Sequence, residues 1–495
     1  MNLHQILVMT DSQQKAQEIY NNFWEYDVSI VPFSFEEVAW EKKYDLIVCA
    51  DTLKWNEKIE KRLLYLKKIT NESGKVLIQV PAIVRGERVC SYDEISRIVT
   101  LCGYSVDDAK VVQMNDMEVG FSLCLSIRTK EMLMFRGKNG ILEYTIKQIA
   151  TAYERLGWKV HYIKSDDFRV TDIEWNKIQR VFSLNSIGWI FNGENYYDKL
   201  GIKSYNYIVD SPIYYEDSLK QAPKLGTLLC VDKKHVEYVK RFYKNINNAY
   251  FLPLGGDNEV SGIQNDWEKR KIEVLFVGCR KVDLNTVDFS DDEWDMLLKL
   301  LKNTDLLTES VLEQKIRDIN PQIDEINLRE KIWENRKIDI CLVTYIRERV
   351  LQVLIEAGID VTVYGNWEGW EYVNNPHFIQ GEFLSQEEVL KKMKDSKIVL
   401  NVMPWFKDGI HDRVINAMLA GAVCLKDNSK WMSEMFDDGE DYWSYSLKEL
   451  EKLPQIVKKI LKGNHDEMRM RAYKKADEGH RWFQRIEELE KQIGD

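Results

Sequence analysis

Within six positions, Asp408, His411, Asp412 and Arg413 bring together two carboxylates, an imidazole and a guanidinium. They stand in the run LNVMPWFKDGIHDRVINAMLAGAVCLKD, Leu400 to Asp427. Its composition predicts an apolar strand through Ile398, Val399, Leu400 and Val402, then a loop carrying Pro404, Asp408 and Gly409. A short helix from about His411 to Leu419 follows, stopped by Gly421, and a second apolar strand runs from Ala422 to Leu425. The first turn of such a helix presents unpaired N–H groups and the positive end of its dipole to the loop, which suits an anion. Holding an anion is the chemistry these residue types would serve. The plainer alternative is that Asp408 caps the helix and that Asp412 and Arg413 form a surface pair.

Other chemistry-bearing residues also fall where a strand should end, the place where open parallel sheets hold ligands. Arg136, Lys138 and Asn139 follow the strand predicted at Met132–Phe135, and Asn185 and Ser186 follow one ending near Leu184. Asp210 follows YIV in YIVDSPIYYE, and Gly278 and Arg280 close KIEVLFVGCRK. For RGKNG, a solvated turn is the competing reading.

The elements that must position these residues form three alternating strand–helix segments, hence α/β sheets that are mainly parallel. Residues 1–129 read as a smaller α/β domain, with an antiparallel edge from a closing hairpin. Residues 130–257 form a second domain, ending in FLPLGGDN, a proline–glycine connector. Residues 258–475 form a third, with a charged helical insertion near 282–337 between its first strand and its helix. A long polar helix containing GHRWFQRIEELEKQI closes the chain, and residues 476–495 are expected to pack back on the second domain. The opening SQEE of the helix that leads into Leu400 fits a capping box.

Bulk properties exclude several classes. The 495 residues exceed what one core serves, and 44% apolar content is that of an ordinary folded protein. A formal charge of −11 argues against a nucleic-acid binder, which needs a basic excess to track phosphates. No apolar run is long enough to span a membrane, and no signal peptide is evident. The eight cysteines are dispersed without a C-x-x-C pair, which points to reduced thiols and a cytoplasmic setting. No D-x-D pair at a strand end and no His/Cys cluster with ligand spacing suggests a metal.

The run DSKIVLNVMPWFKDGIHDRVINAMLAGAVCLKD, with FDDGED (436–441) and GHRW (479–482) in the same order, resembles glycosyltransferases of the GT-B type, group 1, spore-maturation-like class. The likeness covers about residues 131–490. From Tyr44 onward the first domain resembles the second half of a class I methyltransferase fold, in YDLIVCADTLKW, GKVLIQVPA, SYDEISRIVTLCGYSV and VGFSLCLSIR. ILVMTDSQQ lacks the glycine-rich turn that S-adenosylmethionine requires, so that module is expected to be degenerate, used for packing or for docking a protein partner.

The resemblance implies two Rossmann-like domains in a GT-B arrangement and a metal-independent transfer of sugar from a nucleotide-sugar donor to a glycan or protein acceptor. It implies no cofactor beyond the donor itself, and a cytosolic or membrane-peripheral setting. The family's paired glutamates stand eight positions apart, the second directly before A-M-A-x-G. Here they map to Asp408 and to Asn416, which precedes Ala417–Gly421. Asp408, His411 and Arg413 are then the catalytic candidates. Gly278, Arg280, Asn401, Gly409, Asp412 and Asn416 would hold the donor, and Arg136, Asn139 and Asp210 would face the acceptor. Asp210, Glu143 and Glu194 are the candidate bases, and retaining and inverting outcomes both stay open. A catalytically silent GT-B subunit that binds a partner is the alternative, because Asn416 accepts hydrogen bonds more weakly than a carboxylate.

Overall fold

The computed structural model describes residues 4–32, 42–53, 59–127, 130–164, 169–190, 196–263, 266–302, 307–404, 406–427 and 429–493. The chain divides into two compact units, 1–130 and 131–495.

The first unit holds a seven-stranded sheet. Its main path runs Asp27–Val31, Gln5–Met9, Tyr44–Thr52, Thr70–Val84, Glu118–Ile127, Tyr104–Asn115. The first four strands are mutually parallel and the last two antiparallel, as alternating elements followed by a hairpin require. Helix Tyr92–Leu101 starts at a Ser91–Glu94 capping box. At the end of the first strand, Asp51 accepts from Thr10 Oγ1 (2.9 Å), Asp11 N (2.7 Å) and Lys15 Nζ (3.0 Å). This strand end is therefore closed by its own side chains where a glycine turn would open it.

The second unit contains two six-stranded sheets, the mixed α/β architecture expected of a GT-B protein. One runs Asn248–Phe251, Gly226–Cys230, Lys203–Ile208, Ile178–Leu184, Lys130–Phe135, Trp158–Ile163. The other, parallel throughout, runs Phe378–Gly381, Val361–Tyr364, Ile272–Val277, Ser396–Asn401, Val423–Asp427, Trp443–Tyr445. Their central strands are buried along most of their length because helices cover both faces. Helices Asp291–Lys302, Thr308–Ile319 and Glu325–Glu334 intervene between Val277 and the 20-residue helix Lys337–Glu356. Trp443–Tyr445 adds an edge strand, and a 3-10 turn at Leu450–Lys452 leads from it into the helix Leu453–Lys462.

The closing segment departs from the single long helix expected of it. It breaks at His480 into Asp466–Gly479 and Trp482–Ile493, because the connector crosses there. Gly256 N donates to His480 O (2.8 Å) and Trp482 N to Gly256 O (2.9 Å). Arg481 donates to the carbonyls of Asp257 (2.6 Å) and Val260 (3.0 Å). The connector passes so close that a Cβ at Gly255 would lie 2.9 Å from Trp482, and one at Gly256 2.6 Å from Ile415. Beyond the break, the last helix lies on Gly140–Arg155: Tyr153 Oη donates to Glu490 (3.0 Å), which also pairs with buried Arg180.

All eight cysteines have free thiols. Among the described residues, no helix is long and apolar enough to cross a membrane.

Candidate functional site

A cavity of about 300 Å³ lies between the carboxyl edges of the two sheets of the second unit. Asn139, Asn185 and Asp210 line it from one sheet, and Gly278, Lys281, Arg347, His411, Asp412 and Arg413 from the other.

The second wall is built around two arginines. Arg413 is carried into it by the helix Asp412–Leu419, whose remaining residues Val414 to Leu419 are all buried. Its guanidinium donates to Val277 O (2.6 Å), at the end of the sheet's first strand. Arg347 sits in the middle of Lys337–Glu356, 3% exposed, and donates to Cys279 O (2.8 Å). Burial, then the charge of Arg413, pull the Arg347 guanidinium down to about 9. Burial likewise lowers Arg413. Lys281 is exposed as a residue, yet desolvation of its ammonium at the cavity wall, then the Arg347 charge, lower it as well. A guanidinium keeps its proton at neutral pH. The downward pull on all three cations therefore marks positive charge that the protein compensates incompletely, and an anion in the cavity would relieve it.

His411 and Asp412 fix the geometry of this wall. His411 Nδ1 lies 2.5 Å from Asp412 Oδ1, and Arg413 Nη2 lies 3.1 Å from His411 Nε2. A guanidinium only donates, so Nε2 accepts and the proton sits on Nδ1, bonded to Asp412. Burial, then Arg413, lower the imidazole, which keeps it neutral. Asp412 also accepts from Arg413 N (2.9 Å). The helices beginning at Gly140 and Gln386 bring their amino-terminal ends to the same cavity through Asn139, Ile141 and Gln386, adding positive dipole ends to the cationic wall.

On the first wall, Asp210 is the carboxylate. Its Oδ2 accepts from Asn185 Nδ2 (3.0 Å) and Tyr215 Oη (3.1 Å). Asn185 and Ser186 take left-handed backbone angles, φ 48° and 64°, conformations costly for residues with side chains. They are held there by Asn185 Oδ1 accepting from Val209 N (2.9 Å) and by Ser186 N donating to Asn206 Oδ1 (2.8 Å). Strand end, strained turn and carboxylate thus form one hydrogen-bonded unit.

The structure brings together Asn139, Asp210, Gly278, His411, Asp412 and Arg413 of the residues expected from sequence. Others lie outside the cavity lining. Arg280 is drawn away by Glu348 (2.5 Å) and Asp283 (2.9 Å), and Arg136 pairs with Glu143 (2.7 Å). Glu143 is a poor base: burial raises it, but the Arg136 bond outweighs this and holds it below the usual carboxylate range. Asp408 and Gly409 dock on the other sheet. Asp408 N donates to Asp232 Oδ2 (2.7 Å), Gly409 bridges Asp232, and the Asp408 carboxylate faces Lys233 (3.6 Å) and Lys430 (3.7 Å). Asn416 accepts from Asp257 N of the connector (2.8 Å). Asn401 is fully buried at its strand end. Glu194 lies outside the described residues. Sequence reading missed Arg347 and Lys281. The missed signal is helical period, since Val343, Val350, Leu351 and Leu354 put position 347 on the buried stripe.

Residues 347–491 match the family model described as glycosyl transferase-like. No curated protein sequence matches the chain significantly. Among solved structures, TarM is 8% identical with a TM-score of 0.39, over 100% of this chain and 99% of its own. HepE of Anabaena in complex with UDP-glucose is 8% identical with a TM-score of 0.42, over 73% and 99%. Sucrose-phosphate synthase of Thermosynechococcus elongatus is 8% identical with a TM-score of 0.39, over 74% and 99%. The stretch that supplies Arg347, His411, Asp412 and Arg413 to the cavity is thus a glycosyl transferase-like domain, and the chain that carries it is a transferase.

Proposed function

We propose that the cavity transfers a sugar from a nucleotide-sugar donor to a hydroxyl of a glycan or protein acceptor, without a metal. The observation that carries this reading is the convergence of Arg347, Lys281 and Arg413, all lowered, on one cavity facing Asp210. The donor's diphosphate lies against the three cations and the first turn of Asp412–Leu419. As the acceptor oxygen attacks the anomeric carbon, its proton passes to Asp210. The bond between that carbon and the diphosphate breaks, and its electron pair goes to the phosphate oxygen. The charge that develops there is stabilised by preorganised cations, the work a divalent ion does in other transferases. Neutral His411 positions the Arg413 guanidinium and takes no proton. Phe383, 87% exposed where it lines the cavity, offers an aromatic face to a nucleobase. Eight free thiols suit action in the reducing cytoplasm.

The test is mass-spectrometric turnover of UDP-, GDP-, ADP- and TDP-sugars by wild type and Asp210→Asn. One donor is expected to be consumed, and the variant to lose about 10²-fold or more in rate while still binding the nucleotide. Nucleotide binding without turnover in wild type would favour the silent subunit.

A further inference from the structure

The helical insertion reaches across to the segment that carries Asp210. That segment leaves strand Lys203–Ile208, makes a 3-10 turn at Pro212–Tyr214, and enters the helix Glu216–Lys220. Three of its residues bond to the insertion or to the helix after it. Ser211 Oγ donates to Glu309, Tyr214 Oη donates to Asp339 Oδ2 (2.6 Å), and Glu216 pairs with Arg329 (2.9 Å). Asp339 also accepts from Thr308 Oγ1, and Glu216 from Tyr243 Oη. Ser211, Glu216, Glu309, Arg329 and Asp339 are all buried.

The clasp brackets one residue. Tyr215, which donates to Asp210 Oδ2 (3.1 Å), stands between Tyr214 and Glu216, and both of these are held. The same helix, Lys337–Glu356, carries Asp339 in its first turn and Arg347 eight residues on. At 1.5 Å per residue, the two are separated by about 12 Å along one rigid element. That helix therefore ties the cationic wall to the loop on the opposite sheet. Charge-assisted hydrogen bonds in a desolvated setting fix such geometry more tightly than apolar contact does.

We infer that the insertion, through Glu309 acting on Ser211, and the helix that follows it, through Asp339 acting on Tyr214, form a positioning device that sets Asp210 at a fixed distance from the cationic wall. This inference rests on Asp210 acting as the base. It gives the 282–337 stretch a part in the reaction, and it makes Tyr214, Tyr215, Glu309 and Asp339 positioning residues.

The test compares Tyr214→Phe, Asp339→Asn and Tyr215→Phe with wild type in the donor assay, with hydrogen exchange followed over residues 209–216. Tyr214→Phe and Asp339→Asn are expected to lower kcat about tenfold with the donor KM within twofold, and to speed exchange in 209–216. Tyr215→Phe removes a hydrogen bond that orients the carboxylate and is expected to lower kcat, again with the donor KM within twofold. Unchanged kcat and unchanged exchange in the first two variants would overturn the inference. So would a loss of kcat that merely follows a loss of folded protein. If Asp210→Asn itself retains full activity, the reading of the base fails instead. The exchange result still reports whether the clasp exists.

Discussion

Arg347 and Arg413 bond to alternate carbonyls at one strand end, Cys279 O at 2.8 Å and Val277 O at 2.6 Å, so two like charges are held side by side under burial. Such a pair is costly in an empty protein. In the proposed function, a diphosphate lying against it offsets that cost.

Pyrophosphate, the simplest probe of that relationship, should therefore stabilise the protein. At a hundred times its dissociation constant it should add about 2.7 kcal/mol. Arg347→Met and Arg413→Met should each lose most of that gain in a thermal-shift titration. An equal gain in both variants would count against the pair as the anion site.

Acid stability should depend on His480. Burial, then the charges of Arg485 and Lys475, lower its imidazole to about 3, so it is neutral in the folded protein over most of the acid range. The unfolded chain takes up this proton near pH 6.5. Stability from His480 is therefore present above pH 6.5 and is lost as pH falls from there towards 3, at up to about 1.4 kcal/mol per pH unit. His411 and His465, also lowered chiefly by burial, add to the same slope. Denaturation at stepped pH should show a shallower decline in His480→Gln than in wild type.

What could be read from sequence follows from what is local. The strand–loop–helix at Leu400–Asp427 was legible because an apolar run, a glycine and a capped amphipathic helix are all short-range signals. They place His411 and Arg413 side by side whatever the fold around them. Asp408 sits in the same loop but is turned by Asp232 of the other sheet, 176 residues away. No local pattern announces such a partner. Arg280 lies outside the cavity lining for a like reason, since it bonds to Glu348, 68 residues away. Arg347 sits in a run of charge, Arg-Glu-Arg, that looks solvated until the helical period is drawn. The break at His480 is dictated by the connector, which the terminal helix meets only in three dimensions.

Asn416 should matter to the connector and not to the donor. It stands where the glycosyltransferase resemblance would put a glutamate, yet its side chain accepts from Asp257 N in a buried contact. Asn416→Ala leaves that N–H unpaired and should cost about 1–3 kcal/mol of stability in urea denaturation. Asn416→Asp keeps an acceptor and should cost less. Neither should change nucleotide affinity by more than about twofold, as read by titration calorimetry; a tenfold loss in Asn416→Asp would return this position to the donor site.

The central claim is that Arg347, Lys281 and Arg413, and not Arg280, hold the donor's diphosphate. Calorimetric titration of UDP, GDP, ADP and TDP into wild type, Arg347→Met, Arg413→Met and Arg280→Met tests it most directly. The account predicts that one nucleoside diphosphate binds wild type. It should bind Arg347→Met and Arg413→Met at least tenfold more weakly, a loss of about 1.4 kcal/mol each, and Arg280→Met within about twofold of wild type. Binding lost in Arg280→Met but retained in Arg347→Met, or no binding of any nucleotide to wild type, would contradict it.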